Sequence, residues 1–467
     1  MPKLFSKNSI NWIKKHRAEI ILFLISLCAQ LVPFFLWLFL HPDLLFEDKE
    51  LYWSTAKNIM NYGSFSTFFH IAFESDAIRP PIYPLFLSLL YLILFKSLAI
   101  VLFVQNIIGA LSTVLVYRLG KSIFSKKVGI VASIIYIFEA EHLMMSSLIR
   151  AEILFVFFFL LSIIYFIKYI KYFHTKHLIY FSLFLGIATL TRPNSQLFFI
   201  VYIFIFFLVV VSKKIPFKKF LLNSVLIILV FLATISPWSV RNYIKLGTTQ
   251  LSPIMGYNLY QNLVHETKGI ILQRQGMGNE ELYEWGANEW KMIAEELQVP
   301  RYKYPSFAFQ KYWLDKASAE IKKEPLLYVG TYLHCKTIYC FNDASAYFFE
   351  KLNKGYDGKP IINIPNFILF PLMYYGMKFV WVMMWLVIAA GLILESVYFL
   401  RKKKDIPWTM YIFLSVSIVY FAMLSFCLGP LTRYRFPTNP FIFILFVHFL
   451  YLIIDSIRKK KILHPPQ

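Results

Sequence analysis

Charge is scarce in this sequence. Of 467 residues only 16% are Asp, Glu, Lys or Arg, and 58% are hydrophobic. A soluble domain of this length needs far more charge to cover its surface. Alternating strand patterns are also lacking, which argues against a β-barrel. Four cysteines give no disulfide framework. Cys28 and Cys427 lie in apolar runs, and Cys335 and Cys340 stand five apart on an expected helix, a poor spacing for a bridge, so free thiols are expected. No HExxH, CxxC or His-rich cluster occurs, and His265–Glu266 reads as a surface pair. "GMGNEE" (276–281) is not a phosphate loop, because no GKS/T follows and no strand precedes it. There is no G-x-S-x-G elbow. Nucleotide chemistry and serine hydrolysis therefore have no support. No cofactor is called for, and a divalent cation is left open.

Apolar length is what the sequence has instead. Runs of about 20 residues recur, the length a helix needs to cross about 30 Å of hydrocarbon. They fall near 19–40, 99–118, 128–140, 149–167, 178–191, 196–212, 220–237, 376–400, 407–428 and 437–454. The fold class expected is an all-α polytopic membrane protein with about ten spans. The basic N-terminus followed by an apolar run resembles a signal peptide, but the run reaches about Leu40 and no small-x-small site follows. "ISLC" matches a lipoprotein signal only weakly, with Leu27 where a small residue is expected. The segment is read as a retained first helix.

The formal net charge is +22. In a soluble chain that would suggest nucleic acid. Here the basic residues cluster between spans, as cytoplasmic loops do, and no nucleic-acid partner is expected. The clusters are Lys3–Arg17, 118–127, 168–177, 213–219, 401–404 and 458–461. All six share one side if both termini are cytoplasmic and "PIYPLFLSLLYLILF" (81–95) does not cross. That stretch, with Pro81 and Pro84, is read as an interfacial or re-entrant helix.

This division gives a transmembrane module over 1–237 with a first outer loop at 41–98, an outer segment at 238–375, and C-terminal transmembrane helices at 376–467. The outer segment carries helix-like stretches at 279–297 and 307–323. It looks too small and too tyrosine-rich for a separate catalytic domain. Residues 324–341 and 365–376 are read as lying along the membrane surface.

The outer side collects Glu47, Asp48, Arg79, Glu139, Glu141, Arg150, Glu152, Arg192, Arg241, Arg433 and Arg435, all at or near span ends. Taken singly, most would be solvated charges. Arg79 precedes Pro80–Pro81 and Arg192 precedes Pro193 in an apolar turn, so buried partners are expected for these two. A carboxylate facing arginines suits transfer from a phosphate leaving group. The carboxylate takes a proton from an acceptor hydroxyl, and the cations neutralise the departing phosphate. Outside the cytoplasm the activated group would have to arrive on a lipid.

An acid four residues before tyrosine (Asp48, Tyr52), then Ala56, Asn58 and Gly63, then "RPPIYPLFL" (79–87), resembles the first outer loop of GT-C glycosyltransferases. The nearest subset is the polyprenyl-phosphate-sugar-dependent group of aminoarabinose transferases and protein O-mannosyltransferases. "SSLIRAEILF" (146–155), "GIATLTRPN" (186–194), "SPWSVRNY" (236–243) and "RYRFPTNPF" (433–441) continue the resemblance in order. No single motif is specific; the ordered set carries it.

The resemblance implies an inverting transferase, hexosyl or pentosyl. It would move a sugar from a polyprenyl-phosphate carrier to a lipid, glycan or protein acceptor on the outer face of a bacterial cytoplasmic membrane. Asp48 maps to the acid/base residue, with Glu47 beside it, and Arg79 to the phosphate ligand. A second acid maps to Glu152 before Glu139 or Glu141. Tyr52, Tyr83, Arg192, Arg241, Arg433 and Arg435 complete the expected substrate site. A helix cap is the bland alternative for Asp48. Two other classes compete: a lipid-linked substrate transporter or flippase, and a polysaccharide polymerase or ligase. Transporters place charge near the bilayer midplane, whereas Lys378 and Glu395 here fall near span ends.

Overall fold

A computed structural model of the chain describes residues 7–40, 42–46, 51–67, 74–298, 306–341, 366–402, 407–424 and 434–463. Every regular element among them is helical. The helices are α1 (Lys7–Leu40), α2 (Pro42–Leu45), α3 (Tyr52–Tyr62), α4 (Ile82–Ile93), α5 (Leu98–Ile123), α6 (Lys126–Ile137), α7 (Ala140–Ser147), α8 (Glu152–Tyr172), α9 (Thr175–Thr191), α10 (Phe198–Ser212) and α11 (Phe217–Leu246). An outer group follows: α12 (Ile254–Leu259), a π-helix (Tyr260–His265), α13 (Glu266–Arg274), α14 (Asn279–Leu297), α15 (Phe307–Lys323) and α16 (Pro325–Phe341). The last three are α17 (Asn366–Lys402), α18 (Pro407–Leu424) and α19 (Asn439–Leu463).

Among the described residues, seven helices are long and apolar enough to span a membrane: α1, α5, α8, the Pro193–Ser212 segment, α11, the Tyr375–Ser396 part of α17, and the Phe436–Arg458 segment. An eighth span exists if α6 and α7, which meet at a 61° bend, count as one. The remaining two apolar segments of the sequence form the shorter α9, 17 residues, and α18, 18 residues. Within the described residues, all ten apolar segments are thus largely helical.

The α4 helix has 12 residues, about 18 Å of rise, too short for a 30 Å core. One face, with Tyr83, Pro84, Leu87 and Ser88, is buried. The other exposes Leu85, Leu89, Leu92 and Ile93. That i, i+4, i+7, i+8 ridge suits hydrocarbon contact by a helix that does not cross.

Close helix approach is built with small residues. A Cβ on Gly120 of α5 would come within 2.9 Å of the Gly129 Cα of α6, so the pair packs backbone to backbone, as small-residue interfaces in membranes do. Serine caps start both helices. Ser97 Oγ accepts from Ile100 N and Ser125 Oγ from Val128 N, satisfying donors left free in a first turn.

The outer group has its own core of Tyr260, Leu263, Val264, Ile293, Trp313, Ala317 and Tyr328. Its α14 and α15 match the helical stretches expected at 279–297 and 307–323. Within it, Glu289 accepts from Tyr260 Oη at 2.8 Å and pairs with His265 Nδ1 at 2.5 Å and Lys268 Nζ at 3.4 Å. His265 also stacks on Trp285, with centroids 4.9 Å apart. The sequence reading of His265 as a surface residue beside Glu266 is corrected here: its partner lies 24 residues away in a half-buried network. Burial pushes the Glu289 carboxyl up, but the bonds from His265 and Tyr260 and the Lys268 charge outweigh it and hold the group at about 2.

Among the thiols, Cys28 is free and exposed. The side chains of Cys335 and Cys340, and all of Cys427, lie outside the described residues.

Candidate functional site

The first outer loop is built around α3. Its first residue, Tyr52, follows Leu51, which sits in the left-handed region at φ 59°. A non-glycine residue there costs about 1–2 kcal/mol. Gly63, at φ 63°, ends the helix, and its N–H bonds to Ile59 O, a left-handed C-terminal cap that glycine accepts without strain. Tyr52, Thr55, Ala56 and Asn58 face inward. Ile59, on the same helix, is half-buried. The N-cap position of α3 is Leu51. Glu47 and Asp48 themselves lie outside the described residues, as does Arg433.

Arg79 lies over the Tyr52 ring, 5.0 Å from the centroid. Tyr52 meets Tyr83 edge to face at 4.9 Å, and Tyr83 Oη donates to Gln105 Oε1 of α5 at 2.7 Å. The expected trio of Arg79, Tyr52 and Tyr83 is thus one contiguous stack, with both tyrosines almost fully buried. An arginine over a tyrosine face is attracted by the negative face of the ring.

The residues before Arg79 are fixed by Asp76. Its carboxylate accepts from Thr67 N at 2.6 Å, Thr67 Oγ1 at 2.8 Å and Ile78 N at 3.1 Å. Burial pushes this carboxyl above its ordinary range, against the three hydrogen bonds and the Arg241 charge, which pull it down. Arg241 donates to Asp76 O at 2.6 Å and Phe65 O at 3.2 Å, and its guanidinium lies 4.6 Å from the Trp238 centroid. Arg241 therefore acts as a clamp on the loop. Asp76 is not among the residues expected at the site, although an aspartate three residues before "RPP" is a signal in the sequence.

Two acids gather beside the last helix. The bend between α6 and α7 places Glu139 at the N-cap of α7, where Oε2 accepts from His142 N at 2.7 Å. Asn439 Nδ2, at the start of α19, donates to Glu139 Oε1 and Glu141 Oε2, both at 3.2 Å. Arg435 Nε donates to Asn439 Oδ1 at 3.3 Å, and the Arg435 guanidinium stacks 3.5 Å from the Trp381 ring centroid. Glu141 and Arg435 are fully buried. Arg435, expected to bind substrate, is thereby built into the support of the acid pair.

Glu152 and Arg192 form an ion pair between the start of α8 and the end of α9. Glu152 is fully buried and Arg192 nearly so. The buried partners expected for Arg192 and Arg79 are thus Glu152 and the Tyr52 ring. Among the described residues no group of three or more His, Cys, Asp or Glu side chains converges as a metal site.

A polytopic helical bundle with acids and arginines gathered at span ends defines the class: this is an all-α membrane protein consistent with the GT-C fold. Residues 78–240 match the family model of dolichyl-phosphate-mannose-protein mannosyltransferases. That segment begins one residue before Arg79 and contains Tyr83, Glu139, Glu141, Glu152 and Arg192. Among solved structures, the archaeal oligosaccharyltransferase AglB of Archaeoglobus fulgidus, in complex with an inhibitory peptide and a dolichol-phosphate, matches 98% of this chain with a TM-score of 0.52 at 14% identity. An A. fulgidus oligosaccharyltransferase in its apo form gives 0.52 at 14% identity over 97% of the chain, and one tethered to an NVT acceptor peptide gives 0.51. The chain spans about half the length of these enzymes, 53% and 52% of the first two. The comparison with curated proteins gave no match. The family match and the shared fold bear out the resemblance to GT-C glycosyltransferases read from the sequence.

Proposed function

We propose that this protein is an integral-membrane glycosyltransferase that moves a sugar, with inversion, from a polyprenyl-phosphate carrier to an acceptor outside the cytoplasm. The observation that carries the reading is the stack of Arg79 on Tyr52 and Tyr83. Arg79 and Tyr83 lie at the start of the family match, and Tyr52 follows four residues after Asp48.

In this reading Asp48 accepts the proton of the acceptor hydroxyl. The acceptor oxygen attacks the anomeric carbon, and the bond from that carbon to the phosphate oxygen breaks. Its electron pair leaves with the polyprenyl phosphate, which Arg79 meets with charge-assisted hydrogen bonds. Glu47 flanks the base. The Glu139–Glu141 pair, not Glu152, is the second acid of the site, because Glu152 is already neutralised by Arg192. Arg192, Arg241 and Arg435 position the loops around the substrate. Arg433 is assigned to the substrate site from the sequence resemblance alone.

Membrane lipids surround the protein, the donor arrives within the outer leaflet of a bacterial cytoplasmic membrane, and the acceptor is a lipid, glycan or protein. The matched family model names a mannosyl donor on a polyprenyl lipid, so mannose, a hexose, is the first sugar to test. Lipids and glycans of a deletion strain, compared by mass spectrometry with a complemented strain, identify both substrates. The proposal predicts that the polyprenyl-phosphate sugar accumulates while one glycosylated product disappears. An unchanged lipid and glycan profile overturns it.

A further inference from the structure

We propose that Gln105 is a positioning residue that couples the donor-phosphate half of the site to its acid pair. The meaning of the two halves rests on the function proposed above; the coupling itself rests on geometry alone. Gln105 sits on α5, fully buried. Its Nε2 donates to Met145 O at 3.1 Å, Ser146 O at 3.1 Å and Leu148 O at 2.7 Å. Its Oε1 accepts from Tyr83 Oη at 2.7 Å. Only the amino end can face three carbonyl oxygens, so the orientation of the amide is fixed and the oxygen is left for the tyrosine.

Each side of this amide leads to one half of the site. On the oxygen side, Tyr83 meets Tyr52, and Tyr52 carries Arg79 on its face. On the nitrogen side lies the C-terminal end of α7. The last carbonyls of a helix have no partner within it, and Gln105 supplies donors to two of them from another helix. At its other end the same eight-residue helix bears Glu139 and Glu141. A helix of two turns does not hold its own position, so its contacts set the tilt of α7 and with it the placement of the two acids: Gln105 at its C-terminal end, Gln30 against His142, and Ser147 on Asn106. Of these, Gln105 is the side chain that also bonds Tyr83 and so ties the acid pair to the proposed phosphate ligand.

Hydrogen exchange on the full chain in nanodiscs tests this without a transfer assay. In the ligand-free protein, Gln105→Leu should speed exchange of the α7 amides roughly tenfold, because buried carbonyls lose their donor. Tyr83→Phe, which is nearly isosteric, should speed the same amides by a smaller factor and have no further effect in the Gln105→Leu background. Exchange in α17 and α19 should stay unchanged. Undecaprenyl phosphate added to the unsubstituted protein should protect both 79–87 and 140–148, and in Gln105→Leu only 79–87. Unchanged α7 exchange in Gln105→Leu, or an α7 response to ligand that survives the substitution, would overturn the coupling. Should Gln105→Leu not fold, α7 exchange unaltered in Tyr83→Phe overturns it alone. Should undecaprenyl phosphate protect neither segment, the ligand-free comparison still decides the coupling, and the proposed function fails instead.

Discussion

Glu152, at the first position of α8, is paired with Arg192, the residue that closes α9. Both side chains are withdrawn from solvent. Removing one partner of such a pair leaves a charge without its counterion and costs about 3–5 kcal/mol. Glu152→Gln and Arg192→Gln are each expected to lower the thermal midpoint strongly, and the double variant to lower it by less than the two single effects added. A well-folded Glu152→Gln protein with abolished turnover would instead return Glu152 to the role of second acid.

Arg79 is expected to act on the donor. Arg79→Ala should raise the donor KM and slow transfer, and Arg79→Lys should restore only part of the loss, because a lysine lacks the planar fork. Steady-state kinetics with purified polyprenyl-phosphate mannose measure this. Unchanged kinetics in a folded Arg79→Ala protein would assign Arg79 to loop packing and shift the phosphate site toward Arg433.

Much of this was legible in the sequence because hydrophobic length is a strong signal. Within the described residues, all ten apolar segments are largely helical, and the short 81–95 stretch forms a helix of 12 residues with an apolar outer ridge. What escaped were polar contacts between distant residues. The α7 helix leaves little signal in the sequence, since "AEHLMMSS" is short and its polar residues face inward. Asn439 reads as an ordinary helix-start residue, and only folding brings it to Glu139, 300 positions earlier. Gln30, Gln105 and Asn106 stand inside apolar spans and are fully buried. Attention to charge alone passed over them, although uncharged amides within a span also mark interhelical contacts.

The α4 helix is expected to return to the side it came from. Lys96 is exposed just beyond it, and unlike Ser97 it caps no helix. In a cysteine-free background, Lys96→Cys should react with a membrane-impermeant maleimide in intact spheroplasts. Labelling only after permeabilisation would place the later loops on the opposite side.

The outer helices should be sensitive to acid through Glu289. Its carboxyl is held at about 2 when folded, below the ordinary 4.5. A depressed carboxyl stabilises the fold fully above its unfolded value, and that contribution is lost as pH falls from about 4.5 toward 2. Glu289→Gln should lower the melting temperature near neutral pH and flatten its decline over this window, as followed by tryptophan fluorescence of Trp285, Trp290 and Trp313. An unaltered acid profile in Glu289→Gln would assign the acid sensitivity to other groups.

Asp48 carries the heaviest assignment, and Asp48→Asn tests it most directly. Asparagine keeps the size and hydrogen-bonding reach of aspartate but cannot take a proton from the acceptor. With Leu51 at the N-cap of α3, no capping loss is expected to confuse the result. The measurement is sugar transfer from purified polyprenyl-phosphate donor to the acceptor found in the deletion strain, alongside the thermal midpoint. The predicted result is a rate lower by roughly 10²–10⁴, the usual contribution of a general base, with the midpoint unchanged. Near-normal turnover in Asp48→Asn would contradict the catalytic assignment.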